Sequence, residues 1–370
     1  MHKSIIISAL ALLAATLGCE GSKEHSYPTV DGDKRIEQIE RKPFYKANPE
    51  SRPPSEEITS EEYRLEFTGW GVEEPRFSLN FEEGSRRRVI LEYTMGSEGE
   101  GPADYDYTTI IFIKDKTSGE WRELVRAITP FGGAFDAAWE KRFYLDITEF
   151  ASLLQGDTEF CYYYGGFDAT QKRAHTFKLR FLLYDGEPQR ELLSIVNIYD
   201  SYHYGNSGYR GWAYGVTGHD IEATERLGHR TIELPDEAGD MELRLSITGH
   251  GHDMGIFPDR EGYERQNMAE FVENSYAFVI DGIKQQCEGR IFYSNADNYP
   301  QKGTYNYDRA NWAPGNPANV QYWRLVRNSE GSTTIDFDLD LPRFESSFDA
   351  PNAEGVAQYI VAADLFIYRK

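Results

Sequence analysis

The sequence predicts an all-β chain of two consecutive antiparallel β-sandwiches, and three observations carry that expectation. Apolar residues alternate with charged ones in several segments, Gly, Pro, Asn and Asp separate those segments, and helical periodicity is nearly absent. The alternation is clearest in Met241-Leu243-Leu245-Ile247 and Ile335-Phe337-Leu339-Leu341, where the residues between are mostly charged. Period two places successive side chains on opposite faces, so these read as half-buried strands.

In chain order, Met1 to Gly18 reads as a signal peptide (1–18). His2 and Lys3 form a cationic tip, Ile5 to Ala15 an uncharged apolar run, and small residues lead into Cys19. The run is too short to span a bilayer. Leu17, Gly18 and Cys19 match a bacterial lipobox, with Thr16 where a larger aliphatic residue is usual, so Cys19 is the expected lipidation site. A plain cleavable signal is the alternative. A single acyl chain binds membranes only marginally, so permanent anchoring needs the multiple acylation of bacterial lipoproteins. The expected address is the cell envelope, lipid-anchored at the outer membrane and either periplasmic or surface-exposed.

Residues 19–60 are charged, carry Pro28, Pro43, Pro49, Pro53 and Pro54, and lack sustained periodicity, so they read as a flexible tether. Strands follow at Arg88–Thr94, Thr108–Lys114, Phe160–Tyr164 and Phe177–Tyr184, then at Ser275–Asp281 and Tyr359–Tyr368. Ile147, Phe150 and Leu154 share one face of a short helical turn that Gly156 ends. Asp185-Gly186-Glu187-Pro188 marks the boundary between a first domain, 61–187, and a second, 188–370.

Composition narrows the function. A net charge of −22 opposes binding to nucleic-acid phosphates, which would meet a field of their own sign. Aromatic residues make up 14% of the chain, which suits strand cores and also sugar-stacking platforms. With Cys19 lipidated, Cys161 and Cys287 remain, and the sequence leaves their pairing open. No Walker loop, dinucleotide fingerprint, paired CxxC or HExxH helix is present, so chemistry must come from scattered polar residues.

Two stretches, Thr117–Phe135 (TSGEWRELVRAITPFGGAF) and Phe143–Phe160 (FYLDITEFASLLQGDTEF), and the later motifs ITGHGHD, MAEF and YDRANWAPG contain residues that a sandwich does not require. In wording and order they resemble the peptide N-glycosidase F family, bacterial amidases that remove N-glycans from asparagine. The resemblance runs from about Arg88 to the C-terminus. It implies two eight-stranded jelly rolls side by side, an active site in the cleft between them, no cofactor, and N-glycoproteins or glycopeptides as partners. The membrane is then met through the lipid anchor only.

The chemistry implied is attack of water on the side-chain amide carbon of glycosylated Asn, expelling a glycosylamine and leaving Asp. One carboxylate activates the water, while a second acid and a cation position the amide and stabilise the oxyanion. By the resemblance, Asp106 is the general base, Glu270 in Met268-Ala269-Glu270-Phe271 assists at the scissile amide, and Arg309 is a cleft arginine with a planar donor fork. Tyr105, Phe167, Phe271 and Trp312 are candidate GlcNAc-stacking aromatics, and His252 a hydrogen-bonding residue. Without the resemblance, Asp106 reads as a turn aspartate, Glu270 as an exposed acid, Arg309 as half of a surface ion pair, and the aromatics as core.

Some family positions differ. Gly165 stands where a second cleft glutamate aligns, Tyr107 where an arginine follows the essential aspartate, and Met268, Val272 and Ala313 where family cysteines lie. These losses make a glycan-binding protein with impaired catalysis the alternative function. A third class is a copper monooxygenase, another two-jelly-roll architecture, for which His250, His252 and Met254 would be the ligands, although no further ligand is identifiable.

Overall fold

The computed structural model describes residues 27–41, 43–66, 69–132, 135, 139–168, 172–202, 212–213, 227, 229–250, 270–271, 273–327, 332–340 and 358–370. Its strands build four antiparallel sheets that pack as two β-sandwiches of jelly-roll type.

The first sandwich faces a five-stranded sheet against a six-stranded one. In the five-stranded sheet, Arg86–Gly99 and Arg173–Asp185 are the long central strands, flanked by Glu56–Thr59, Tyr63–Leu65 and Glu140–Asp146. The six-stranded sheet runs Asn316–Pro317, Trp121–Ile128, Thr108–Lys114, Gly156–Asp168 and Gly69–Glu73, with Arg76–Phe81 beside Gly156–Asp168. Alternate residues of both sheets, among them Leu91, Tyr93, Ile111, Phe160, Tyr162, Phe177 and Phe181, meet in one core. The short helical turn is a 3-10 helix at Thr148–Leu153 that buries Phe150.

The second sandwich pairs a six-stranded sheet, whose centre is Ala238–His250 beside Gln358–Arg369, with a four-stranded sheet of Arg230–Glu233, Thr334–Asp340, Asn274–Ile280 and Ile283–Ile291. Both clearest alternations lie here: Met241, Leu243, Leu245 and Ile247 point inward from one sheet, and Ile335, Phe337 and Leu339 from the other, Leu341 lying outside the described residues. Half-burial holds for Thr334–Asp340 but is corrected for Ala238–His250, where Glu242, Arg244 and Ser246 on the opposite face are buried as well.

Two expectations need correction. From Tyr27 onward residues 19–60 do not form a tether. Ile36–Ile39 pairs with Gln321–Leu325, and Glu56–Thr59 with Arg173–Asp185. Phe44 and Tyr45 enter the first core. Composition hides this because the strands have four residues each, and because a charge beside them, Arg35 just ahead of Ile36–Ile39, is buried against Asp33 and Asp281. The division at 187/188 is also crossed: Ile36–Ile39 belongs to the second sandwich, and Asn316–Pro317 adds to the first. Residues 1–18, including the signal region, and Cys19 lie outside the described residues. Cys161 and Cys287 are unpaired.

The strand Trp121–Ile128 is buried along its whole length and forms the seam. Arg126 crosses it to Thr248 Oγ1 (2.7 Å) and Ile360 O (2.8 Å), while Arg244 returns to the carbonyls of Glu123 (3.0 Å) and Leu124 (2.7 Å). Buried guanidiniums are tolerated only when carboxylates and carbonyls satisfy them, and Arg126 also donates to Glu123 (2.6 Å). A polar seam of this kind fixes the angle between the sandwiches, because each guanidinium fits one arrangement of acceptors.

Candidate active site

Asp106 is delivered by the first sandwich. Just behind it, Tyr107 N donates to Thr129 Oγ1 (2.8 Å) and Thr129 N to Tyr107 O (2.9 Å), which extends the pairing of Thr108–Lys114 with Trp121–Ile128. Just ahead, the loop Gly101–Ala103 is buried, and Arg173 donates to Pro102 O (3.1 Å) while pairing with Asp104. Gly132 permits that seating: a Cβ there would lie 2.4 Å from Pro102 O and 2.5 Å from Ala103 O.

Arg309 comes from the second sandwich. Its backbone forms a two-bond bridge with Tyr293 (2.7 and 3.0 Å), and Ala310 N donates to Glu270 O (2.8 Å), so Glu270 and Arg309 sit on adjoining strips of chain. The guanidinium is wrapped. Nη1 donates to Thr304 O (2.7 Å) and Nη2 to Thr304 Oγ1 (2.8 Å), and Cζ lies 4.8 Å from the ring centre of Phe271 and 4.6 Å from that of Trp312. What remains of the fork faces two acids: Nη2 is 3.5 Å from Asp106 Oδ2, and Nε is 3.7 Å from Glu270 Oε1.

Three residues far apart in sequence therefore converge at the seam. The carboxylates are 12% and 10% exposed, enough for a substrate group or water to reach, whereas the Arg309 side chain is fully covered. Arg309 Nη1 is used by Thr304 O and Tyr307 O and Nη2 by Thr304 Oγ1 and Asp106, and the side chain is covered, so the reach of its fork to a substrate oxygen is limited to what passes between the two acids. Two carboxylates around one covered cation is an arrangement suited to activating water and carrying a proton.

The expectation for Trp312 is corrected. It is 2% exposed, donates Nε1–H to Gly249 O (2.7 Å), and stacks on His250 with ring centres 5.3 Å apart, so it supports Arg309 from within rather than offering a face to sugar. The preceding Asn311 takes a left-handed φ of 69°, a turn that asparagine tolerates. Phe271 is half-buried and meets Tyr307 edge-on at 5.5 Å; Tyr307 and Tyr105, 42% and 58% exposed, form the open aromatic rim. Phe167 pairs through its backbone with Trp70, its side chain lying outside the described residues, as does the whole of His252. Gly165 is buried in its strand opposite Val72 and presents backbone alone.

His250 sits beneath the site with Nε2 2.6 Å from Thr248 Oγ1. Burial, then the charges of Arg126 and Arg309, hold its pKa well below the usual range, so it is neutral at physiological pH. Since Arg126 donates into Thr248 Oγ1, the hydroxyl hydrogen is available to His250 Nε2. Sequence reasoning missed Thr304, Tyr307 and Gln301. Gln301 is buried; its Oε1 accepts from Phe131 N (3.0 Å) of the first sandwich and its Nε2 donates to Pro314 O (2.8 Å) of the second. Nothing in an isolated loop sequence signals such a cross-seam contact.

Residues 219–363 match the family described as "Peptide-N-glycosidase F, C terminal". Peptide-N(4)-(N-acetyl-beta-D-glucosaminyl)asparagine amidase F of Elizabethkingia miricola is 26% identical over 234 residues, a match covering 62% of this chain and 61% of that protein's length. Among solved structures, PNGase F of Flavobacterium meningosepticum, a glycosylasparaginase, superposes with a TM-score of 0.62 at 20% identity, over 84% of this chain and 96% of that one. PNGF-II superposes with a TM-score of 0.55 at 16% identity, over 80% and 59%. The two structural likenesses establish the shared fold.

Proposed function

We propose that this chain, which belongs to the peptide-N-glycosidase F family, is an amidase that hydrolyses the GlcNAc–Asn amide of N-glycoproteins or glycopeptides and converts Asn to Asp. The observation that carries the reading is the meeting of Asp106 and Glu270 on Arg309 across the seam. Asp106 takes a proton as water attacks the amide carbon, the carbon–nitrogen bond breaks, and the nitrogen leaves as glycosylamine after gaining a proton. Glu270 serves the scissile amide, and Arg309 keeps both acids placed. General-base help of this kind is worth roughly 10²–10⁴ in rate. Tyr105, Phe271 and Tyr307 form the rim on which a GlcNAc ring would lie.

The test is incubation with a denatured N-glycoprotein and a short glycopeptide, reading the Asn-to-Asp mass change. Glycan release abolished in Asp106→Asn and Glu270→Gln is the expected result. Gly165 favours a second reading, a binder that does not cut, because no carboxylate projects there. Retention of glycopeptide on a column of wild-type protein without any mass change would select it.

We also propose that Cys19 carries the lipid anchor in the cell envelope, which puts the site where external glycoproteins are met. Among the described residues no helix is long and apolar enough to cross a membrane. Cys19→Ser should move the protein from the membrane to the soluble fraction; unchanged fractionation would reject the anchor.

A further inference from the structure

A second groove, about 1090 Å³, lies along the seam between residues 43–49, the start of Arg86–Gly99, the 3-10 helix and the crossing at Pro188–Leu192; Asp106, Glu270 and Arg309 do not line it. At its floor Glu242, with a side chain only 3% exposed, receives two guanidiniums: Arg41 on Oε1 and Arg190 on Oε2 (2.8 Å). Arg41 lies 4.2 Å over the ring of Tyr322, and Arg190 3.7 Å over that of Tyr368. Both are about one-third exposed, 36% and 37%, so a face of each fork is open to the groove.

The charges here do not balance. The other carboxylates of the lining have their own cations: Asp146 has Arg88 (3.4 Å), Glu149 has Arg244 (3.4 Å) and Glu191 has Arg369 (2.8 Å). Arg41 and Arg190 share one carboxylate, and Lys46 on the same wall pairs with none among the described residues. Two guanidiniums thus share one buried carboxylate, and a lysine on the same wall adds a third cation. In a chain of net charge −22 such a locus is unusual, and distant charges act weakly on it because salt screens them beyond about 8 Å. Around it stand the neutral hydrogen-bonding side chains of Asn48, Ser152 and Gln189, which suit hydroxyl groups, while Thr148 and Gln155 on the same wall are engaged by Asp146 and Gly84.

We propose that this groove binds an acidic oligosaccharide, its sulfate or carboxylate held by the free donors of Arg41 and Arg190 with Lys46 alongside, and its hydroxyls by the neutral amides and hydroxyls. The guanidinium fork matches an oxyanion in geometry, and stacking on Tyr322 and Tyr368 presets both forks before binding. The site is separate from the amide chemistry and would bring acidic glycans to the protein whether or not it cleaves them.

The test is calorimetric titration of the full chain carrying Asp106→Asn, so that hydrolysis plays no part. The probes are a heparin-derived hexasaccharide and neutral chitohexaose, each at low and physiological salt. Saturable one-to-one binding of the sulfated probe alone is expected, weakened on the order of tenfold or more in Arg41→Gln/Arg190→Gln. Because that variant leaves Glu242 buried without a cation, a triple variant adding Glu242→Gln keeps the comparison valid if the double variant misfolds. Equal affinity for the neutral probe, unchanged binding in both variants, or preference for anionic phospholipid vesicles over the hexasaccharide would each overturn the proposal.

Discussion

Arg309 Nη2 lies 3.5 Å from Asp106 Oδ2 although 203 positions separate the two residues, one in each sandwich. The contact depends on everything that fixes the sandwiches against each other, so the site should be sensitive to changes that touch no substrate.

Arg309→Lys should reduce kcat by about 10²-fold or more. A lysine ammonium is one point of charge, and it cannot serve Thr304 O, Thr304 Oγ1 and two carboxylates together. Because one ammonium cannot reach all of these acceptors, the groups left without a donor should also cost about 1–3 kcal/mol of stability. Steady-state kinetics and thermal unfolding of the same preparation check both parts.

Gln301→Met, similar in shape but without polar atoms, should lower kcat while glycopeptide affinity stays within about threefold, because Gln301 joins Phe131 N to Pro314 O and touches neither acid. Unfolding should be easier by about 2 kcal/mol, from the buried N–H and C=O left unpaired. Parallel loss of kcat and affinity would point to general collapse of the cleft.

Gly132→Ala should damage catalysis more than stability. The new methyl would meet Pro102 O at 2.4 Å and Ala103 O at 2.5 Å and push the segment carrying Asp106. A shift of about 1 Å at a reacting group costs on the order of 10²-fold in rate. Comparing kcat with the melting temperature separates the two effects.

Acid should destabilise the fold through His175. Burial holds its pKa at about 3 against an ordinary 6.5, and its Nε2 bonds Tyr162 OH at 2.7 Å. The folded pKa is depressed, so between 6.5 and 3 the unfolded chain takes up a proton that the folded chain refuses, and stability falls as pH falls. Buried His250 acts with the same sign, whereas buried Glu149 and Asp364, whose pKa values burial raises, act oppositely. His175→Gln should therefore flatten the stability-against-pH slope below 6.5 by about 1.4 kcal/mol per pH unit, measured by denaturant unfolding across pH 5 to 8.

Much of the fold is legible where apolar residues run together or alternate. Thr108–Lys114, apolar on both faces, appears with the expected ends, and Thr334–Asp340 buries one face as its alternation requires. Legibility fails where a strand is buried on both sides by different means. Trp121–Ile128 carries Arg122, Glu123 and Arg126, which read as exposed, yet all three are buried because the second sandwich supplies their partners. The early strands fail for a different reason: with four residues each and half of their side chains exposed, they carry too short an apolar pattern to read. At the site, Asp106, Glu270 and Arg309 were recognisable through motifs and the structure brings them together; the covering of Arg309 and Trp312 depends on Thr304, Phe271 and His250, whose approach is set by the seam.

The most direct measurement is cleavage of a defined glycopeptide in water enriched in oxygen-18, with mass analysis of the peptide product. Attack of activated water on the amide carbon places one heavy oxygen in the side-chain carboxylate of a new Asp, and the reaction disappears in Asp106→Asn. A peptide that emerges unlabelled with its Asn intact, or an Asp106→Asn protein that cuts as fast as wild type, would contradict the account.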